Sequence, residues 1–133
     1  MMDVVRVTTS KEIEIIDITE KIREIVRKSG VEDGIVVVFT RHTTSGIIIN
    51  ENESGLISDL EKTLEKLIPK GAGYSHDRVD NNAHSHLRAI ILGSSVVIPV
   101  ENGRLALGTW QSVLFVELDG PRTREIYVKV CKC

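Results

Sequence analysis

The chain has 133 residues, with 17 Lys and Arg against 19 Asp and Glu for a formal charge of −2, the size and balance of one domain, and it is too short for an ordinary (β/α)₈ barrel of about 250 residues. Ile (16), Val (16) and Leu (10) supply most of the 41% apolar positions while aromatics are only 4%, so the core is aliphatic and nothing resembles the basic stripe or stacking platform of a nucleic-acid binder. The longest strictly apolar run, Ile35 to Phe39, falls far short of the ~20 residues of a membrane helix, and the start lacks the basic and apolar segments of a secretory signal; a cytoplasmic protein that meets neither membrane nor nucleic acid is expected.

Alternation at Val5-Arg6-Val7 and Glu12-Ile13-Glu14-Ile15 predicts two early strands with one wetted face. From Asp17 the period becomes helical at Ile18, Ile22, Ile25 and Val26, with Asp17 and Glu20 spaced as a capping box and Gly30 as the stop. Two β-branched runs follow, Gly34 to Phe39 and Gly46 to Ile49, whose unbroken hydrophobicity predicts central strands buried on both faces. A second helix is written by Leu56, Ile57, Leu60, Leu64, Leu67 and Ile68, started by Asn52 or Ser54 and ended by Pro69 and Gly71. Residues Gly71 to Asn82 read as a long loop. Capped by Asn81 or Asn82, Ala83 to Leu92 reads as a short helix closed by Gly93, with a strand as the alternative.

The last third is β: Ser95 to Val100, a turn at Asn102-Gly103, then Arg104 to Leu107, Trp110 to Leu118 and Glu125 to Val130. Pro99 lacks an amide hydrogen and places its strand at an edge or at its own end. Cys131 and Cys133, two apart, read as free thiols at a strand end.

Polar residues gather in four places. Thr40-Arg41-His42-Thr43-Thr44-Ser45 follows a buried strand directly, a position from which side chains line a pocket or simply close a turn. His84-Ser85-His86 has a metal-ligand spacing if extended, whereas in a regular helix the two imidazoles diverge by about 200°; with His42, three neutral nitrogens suffice for an open zinc-like site. Glu117 lies in a strand apolar on both faces and either faces water as an ordinary edge-strand carboxylate or, if buried, needs a metal, an arginine or a hydrogen-bond donor beside it. Asp119-Gly120-Pro121-Arg122-Thr123-Arg124 is a turn whose arginines either fork onto phosphate or carboxylate or are merely solvated.

Taken jointly, Arg41-His42-Thr43-Thr44 with Asn50-Glu51, Asn82-Ala83-His84-Ser85-His86, Leu107-Gly108-Thr109-Trp110-Gln111 and Asp119-Gly120-Pro121-Arg122 resemble the YjbQ family, whose members are described as secondary thiamine-phosphate synthases. The resemblance covers essentially all of residues 1–133 as a single domain. It implies a compact α+β fold, a curved and mostly antiparallel sheet or sandwich covered by two to three helices, assembled as a homotrimer with a cleft that neighbouring subunits could share. It also implies a transferase joining hydroxymethylpyrimidine diphosphate to thiazole phosphate with release of pyrophosphate.

On that reading a divalent metal, zinc or magnesium, is held by His42, His84 and His86. Glu117, Gln111 and His42 are the catalytic candidates, and Arg122, Arg41, Thr44, Asn82 and Trp110 bind the small phosphorylated substrate. The alternatives are a metal-dependent hydrolase of phosphorylated metabolites, with Glu117 as general base, and a trimeric module that binds ligand or metal without turnover.

Overall fold

Every strand pair is antiparallel, and the strands divide into two sheets. A computed structural model describes residues 2–133. In chain order the elements are β1 (Asp3–Thr8), β2 (Glu14–Asp17), α1 (Thr19–Ser29), β3 (Gly34–Thr40), β4 (Ser45–Asn50), α2 (Ser54–Leu67), α3 (Ala83–Leu92), β5 (Ser95–Glu101), β6 (Arg104–Leu105), β7 (Ser112–Glu117) and β8 (Thr123–Lys132). The larger sheet runs β1-β8-β3-β5-β6 and the smaller β2-β7-β4. This is the expected α+β domain of antiparallel sheets with three helices.

The aliphatic residues place the layers. Val5, Val7, Val36, Val38, Ile98, Val100, Ile126 and Val128 turn inward from the larger sheet to meet Ile47, Val113 and Phe115 of the smaller one, with Ile18 and with Ile22 and Val26 of α1 completing this core. The opposite face of the smaller sheet, through Val116 and Ile48, joins Leu118 in packing against Leu60 and Leu64 of α2 and Ala89 and Leu92 of α3. Strand β7 is therefore buried on both sides, as its sequence predicts. No helix is long and apolar enough to cross a membrane among the described residues.

Several local expectations change. Strand β2 starts at Glu14 rather than Glu12. Asp17 does not cap α1 through a capping box. Its carboxylate instead accepts the amide and hydroxyl of Thr19, the first residue of the helix, at 2.9 and 2.6 Å. Helix α2 is capped by Glu53, which accepts from the amides of Gly55 and Leu56. Ala83 at the start of α3 donates to Asp77 rather than to either asparagine. Trp110 and Gln111 stay outside β7 because Gln111 folds back on Gly108, amide to carbonyl at 3.1 Å and amide to side-chain oxygen at 2.9 Å.

Central placement holds for β3 but not for β4, which is the edge of its sheet. Its hydrophobicity serves both layers, Ile47 facing the larger sheet and Ile48 the helices, and the amide of Ile47 reaches the carbonyl of Gly93 at 3.1 Å. Nor is β3 buried on both faces. Register puts Val4, Tyr127 and Phe39 in one row across the outside of the larger sheet, with Val37 and Val97 in the next. No helix covers that face, and Val4, Phe39 and Val97 are 45%, 39% and 56% exposed.

Candidate functional site

The β3–β4 connection makes one wall of a cleft. Its base is drawn tight by the hydroxyls of Thr40 and Ser45, 2.9 Å apart, and by the amide of His42 on the Thr40 hydroxyl. The C-terminal half of α3 and the Gly93-Ser94 junction make the other wall, which is tied to β3 and β4 by the Thr40 amide on the Ser94 carbonyl and the Ile47 amide on the Gly93 carbonyl. Between them lies a space of about 430 Å³ lined by Phe39, Arg41, His42 and Ser45 from the first wall and by His86, Ala89 and Ile90 from the second. That volume suits a small organic ligand.

Two cationic or imidazole groups have fixed orientations. The Arg41 guanidinium lies over the Tyr127 ring, 4.1 Å from its centre, a cation–π contact that holds the charge at the cleft mouth. His42 accepts the backbone N–H of Glu125 at Nε2, 3.1 Å away. Burial, reinforced by the nearby Arg124 charge, holds the His42 imidazolium below its ordinary pKa.

Behind the cleft sits the carboxylate that the sequence marked as costly. Glu117 is completely buried and takes Arg124 Nε at 2.9 and 3.1 Å, Arg124 Nη2, the Thr9 hydroxyl at 2.8 Å and the amides of Leu118 and Asp119 at 3.0 and 3.1 Å. Burial alone would raise its pKa, but the hydrogen bonds from Arg124, Thr9 and the Asp119 amide outweigh that and hold it below the ordinary value. Of the three partners the sequence allowed, an arginine and hydrogen-bond donors are present. Arg124 also donates to the hydroxyl and carbonyl of Thr44, at 2.8 and 3.2 Å. A carboxylate so fully engaged has no lone pair directed at solvent, so Glu117 and Thr44 frame the cleft rather than line it.

Helical geometry separates the His84-Ser85-His86 pair. Both histidines lie within α3, where residues two apart diverge by about 200°. His86 faces the cleft with His42. Buried His84 points the other way, its Nε2 2.9 Å from Glu12, in a second cleft shared with Arg88 and Lys70. Among the described residues no group of three or more His, Cys, Asp or Glu is placed to hold a metal ion, and His42 has already committed Nε2 to an amide. The residues expected to bind zinc or magnesium therefore do not fit that role within one chain.

Arg122 and Asn82 meet, but beside the cleft. Arg122 donates to the carbonyl and carboxylate of Asp119 at 2.8 and 3.1 Å, Asn82 donates to the same carboxylate at 3.0 Å, and the Asn82 oxygen is 3.1 Å from His76 Nε2. The His76 ring stands edge-on to His86, centres 4.6 Å apart. Trp110 and Gln111 lie elsewhere: β7 pairs Ser112 with Asn50 at one end and Glu117 with Ser45 at the other, which puts about 17 Å of strand between them and the cleft. The apolar lining of Phe39, Ala89 and Ile90, the Tyr127 ring and the bond from Glu125 carried no signal in the sequence, since each depends on a neighbour far along the chain.

A curled, two-sheet α+β domain with one mixed polar and apolar cleft at a strand–helix junction is the class of protein that fold and site define. The chain belongs to the YjbQ/UPF0047 family, whose model, described as UPF0047 protein YjbQ-like, matches residues 3–133. A UPF0047 protein of Archaeoglobus fulgidus is 55% identical over 121 residues, covering 91% of this chain and 94% of its own. YugU of Bacillus subtilis is 35% identical over 133 residues, 98% of both chains. In structure the chain is similar to a YbjQ-like protein of unknown function from Sulfolobus solfataricus, with TM-score 0.97, 40% identity and 100% and 97% coverage. It is also similar to a YjbQ/UPF0047 protein of Clostridium acetobutylicum, with TM-score 0.93, 44% identity and 97% and 99% coverage.

Proposed function

We propose that the cleft binds a small phosphorylated molecule and that the protein is a transferase of the secondary thiamine-phosphate synthase kind. One observation carries this reading: a space of about 430 Å³ is lined by Arg41, His42 and His86 together with the apolar Phe39, Ala89 and Ile90. The polar groups suit phosphate oxygens and the apolar ones a flat heterocycle. In the reaction, the ring nitrogen of thiazole phosphate attacks the methylene of hydroxymethylpyrimidine diphosphate; the new C–N bond replaces the C–O bond, whose electrons leave with pyrophosphate. The barrier lies in the charge developing on that leaving group, and a guanidinium fixed before the substrate arrives stabilises it without reorganisation.

A homotrimer belongs to the same reading. The uncovered outer face of the larger sheet carries Val4, Phe39 and Val97 exposed in adjacent rows, the kind of apolar surface that copies of a chain cover. Phe39 also lines the cleft, so copies meeting there reach its rim.

The test is to mix the purified protein with both substrates and follow thiamine phosphate and pyrophosphate. Product from the pair, and none when hydroxymethylpyrimidine replaces its diphosphate, supports the transferase. Phosphate release from one substrate alone supports the hydrolase instead. Equal binding of phosphorylated and dephosphorylated ligands would remove the phosphate-binding reading altogether.

A further inference from the structure

We propose that His42 serves the cleft as a neutral hydrogen-bond donor through Nδ1, directed at an anionic oxygen of the ligand, and is neither a metal ligand nor a proton acceptor. The ligand class rests on the reading above; the state of the ring does not.

The argument starts from the sheet. The ladder between β3 and β8 ends with Thr40 opposite Ile126. Glu125 lies one residue beyond that last rung, so its N–H has no β3 carbonyl to meet and donates to His42 Nε2 at 3.1 Å. A backbone N–H is a donor at every accessible pH, so Nε2 must present its lone pair. A neutral imidazole with a bare Nε2 carries its hydrogen on Nδ1.

That nitrogen has no protein partner, and it is not sealed away: the one buried side-chain nitrogen or oxygen left unpartnered among the described residues is Nδ1 of His84. His42 therefore lines the cleft with a fixed N–H and nothing else to offer.

Two roles are excluded by this arrangement. Metal coordination needs a lone pair, and the only one on the ring is occupied. Accepting a proton at Nε2 would set two hydrogens against each other, and burial of the ring, joined by Arg124 and Arg122 and opposed by Glu117 and Glu125, also disfavours the cation. A neutral imidazole that donates is suited to an oxyanion because it adds no competing proton equilibrium near neutrality. Arg124 and Glu117 act as positioning residues: their ion pair, anchored on Thr44, sets the strand from which the Glu125 amide projects.

Long-range proton–nitrogen spectra of the ligand-free protein read the tautomer directly. Protonated Nδ1 with bare Nε2, both unmoved by one equivalent of zinc chloride, is the expected result; protonated Nε2, or zinc displacing the His42 signals, overturns the assignment. Calorimetry with inorganic pyrophosphate then tests the donor. The side-chain amide of His42→Asn falls near the Nδ1 position and that of His42→Gln near Nε2, so Asn keeps affinity within about threefold while Gln and Ala lose about tenfold or more. Asn losing as much as Ala overturns the donor role. Failure of the unaltered protein to bind pyrophosphate would instead overturn the ligand class, with the spectra still deciding the ring.

Discussion

Arg124 and Glu117, seven residues apart across the turn that holds the cis Gly120–Pro121 bond, pair with side-chain exposures of 4% and 0%. Every other ion pair among the described residues has at least one partner open to water. Removing one member of a buried pair strands the other charge and costs about 3–5 kcal/mol. Arg124→Met or Glu117→Leu alone is therefore expected to lower stability in urea by that amount. The double apolar replacement should recover much of it while weakening pyrophosphate binding, because the Glu125 amide loses its anchor.

The same carboxylate sets an acid limit. Its folded pKa is depressed, against about 4.3 in an unfolded chain. Its contribution to stability is whole above the unfolded value and disappears as pH falls through the folded one. Stability of the unaltered protein should drop steeply below about pH 4. Glu117→Gln, less stable at neutral pH, should show a flatter acid limb in denaturation curves taken from pH 7 to 2.

Arg41 tests the cleft without touching the core. A charge-assisted bond to phosphate is worth about 1.5–3 kcal/mol, so Arg41→Ala should weaken pyrophosphate binding by roughly 10- to 100-fold with little change in melting temperature. Tyr127 holds the guanidinium by its ring face. Tyr127→Phe should bind as the unaltered protein does, and Tyr127→Leu several-fold more weakly.

Gly120 and Gly30 make a matched pair. A Cβ on Gly120 would collide with the carbonyl oxygen of Lys11 and come within 2.8 Å of the Thr9 hydroxyl, whereas one on Gly30 meets nothing within 4 Å. Gly30 ends α1 at φ 71°, so Gly30→Ala costs about 1–2 kcal/mol of left-handed strain. Gly120→Ala adds overpacking against backbone and should cost about 3 kcal/mol or more; the order of the two melting temperatures checks this.

The outer sheet face gives the association test. Val97→Lys places a charge beside Val37, in the row that continues to Lys129, without entering the core, and in light scattering it should shift the proposed trimer toward monomer. A trimer that survives it would locate the interface elsewhere.

Much of this fold is written in local pattern. Ile18, Ile22 and Val26 announce α1, Asn102-Gly103 the turn before β6, and the two-faced hydrophobicity of Val113 to Leu118 a strand between layers. Glu117 was legible as a carboxylate that, if buried, needs a metal, an arginine or a hydrogen-bond donor, without a choice among the three. What the sequence hides is direction. His84 and His86 differ only in which way a helical turn aims them, and the choice between strand and helix at that point decides whether they meet. The hydrophobicity of β3 could not say that one of its faces lies uncovered, because burial by a helix and exposure on an open sheet use the same residues.

The Gly93-Ser94 junction has a mechanical meaning. Its neighbouring carbonyls accept from Ile47 in one sheet and Thr40 in the other, so the same short piece of backbone is both a wall of the cleft and a rivet between layers. Prising that wall outward would tear hydrogen bonds from two sheets at once. Recognition then falls to a mould cast before the guest arrives, and a ligand too large for it is refused rather than accommodated.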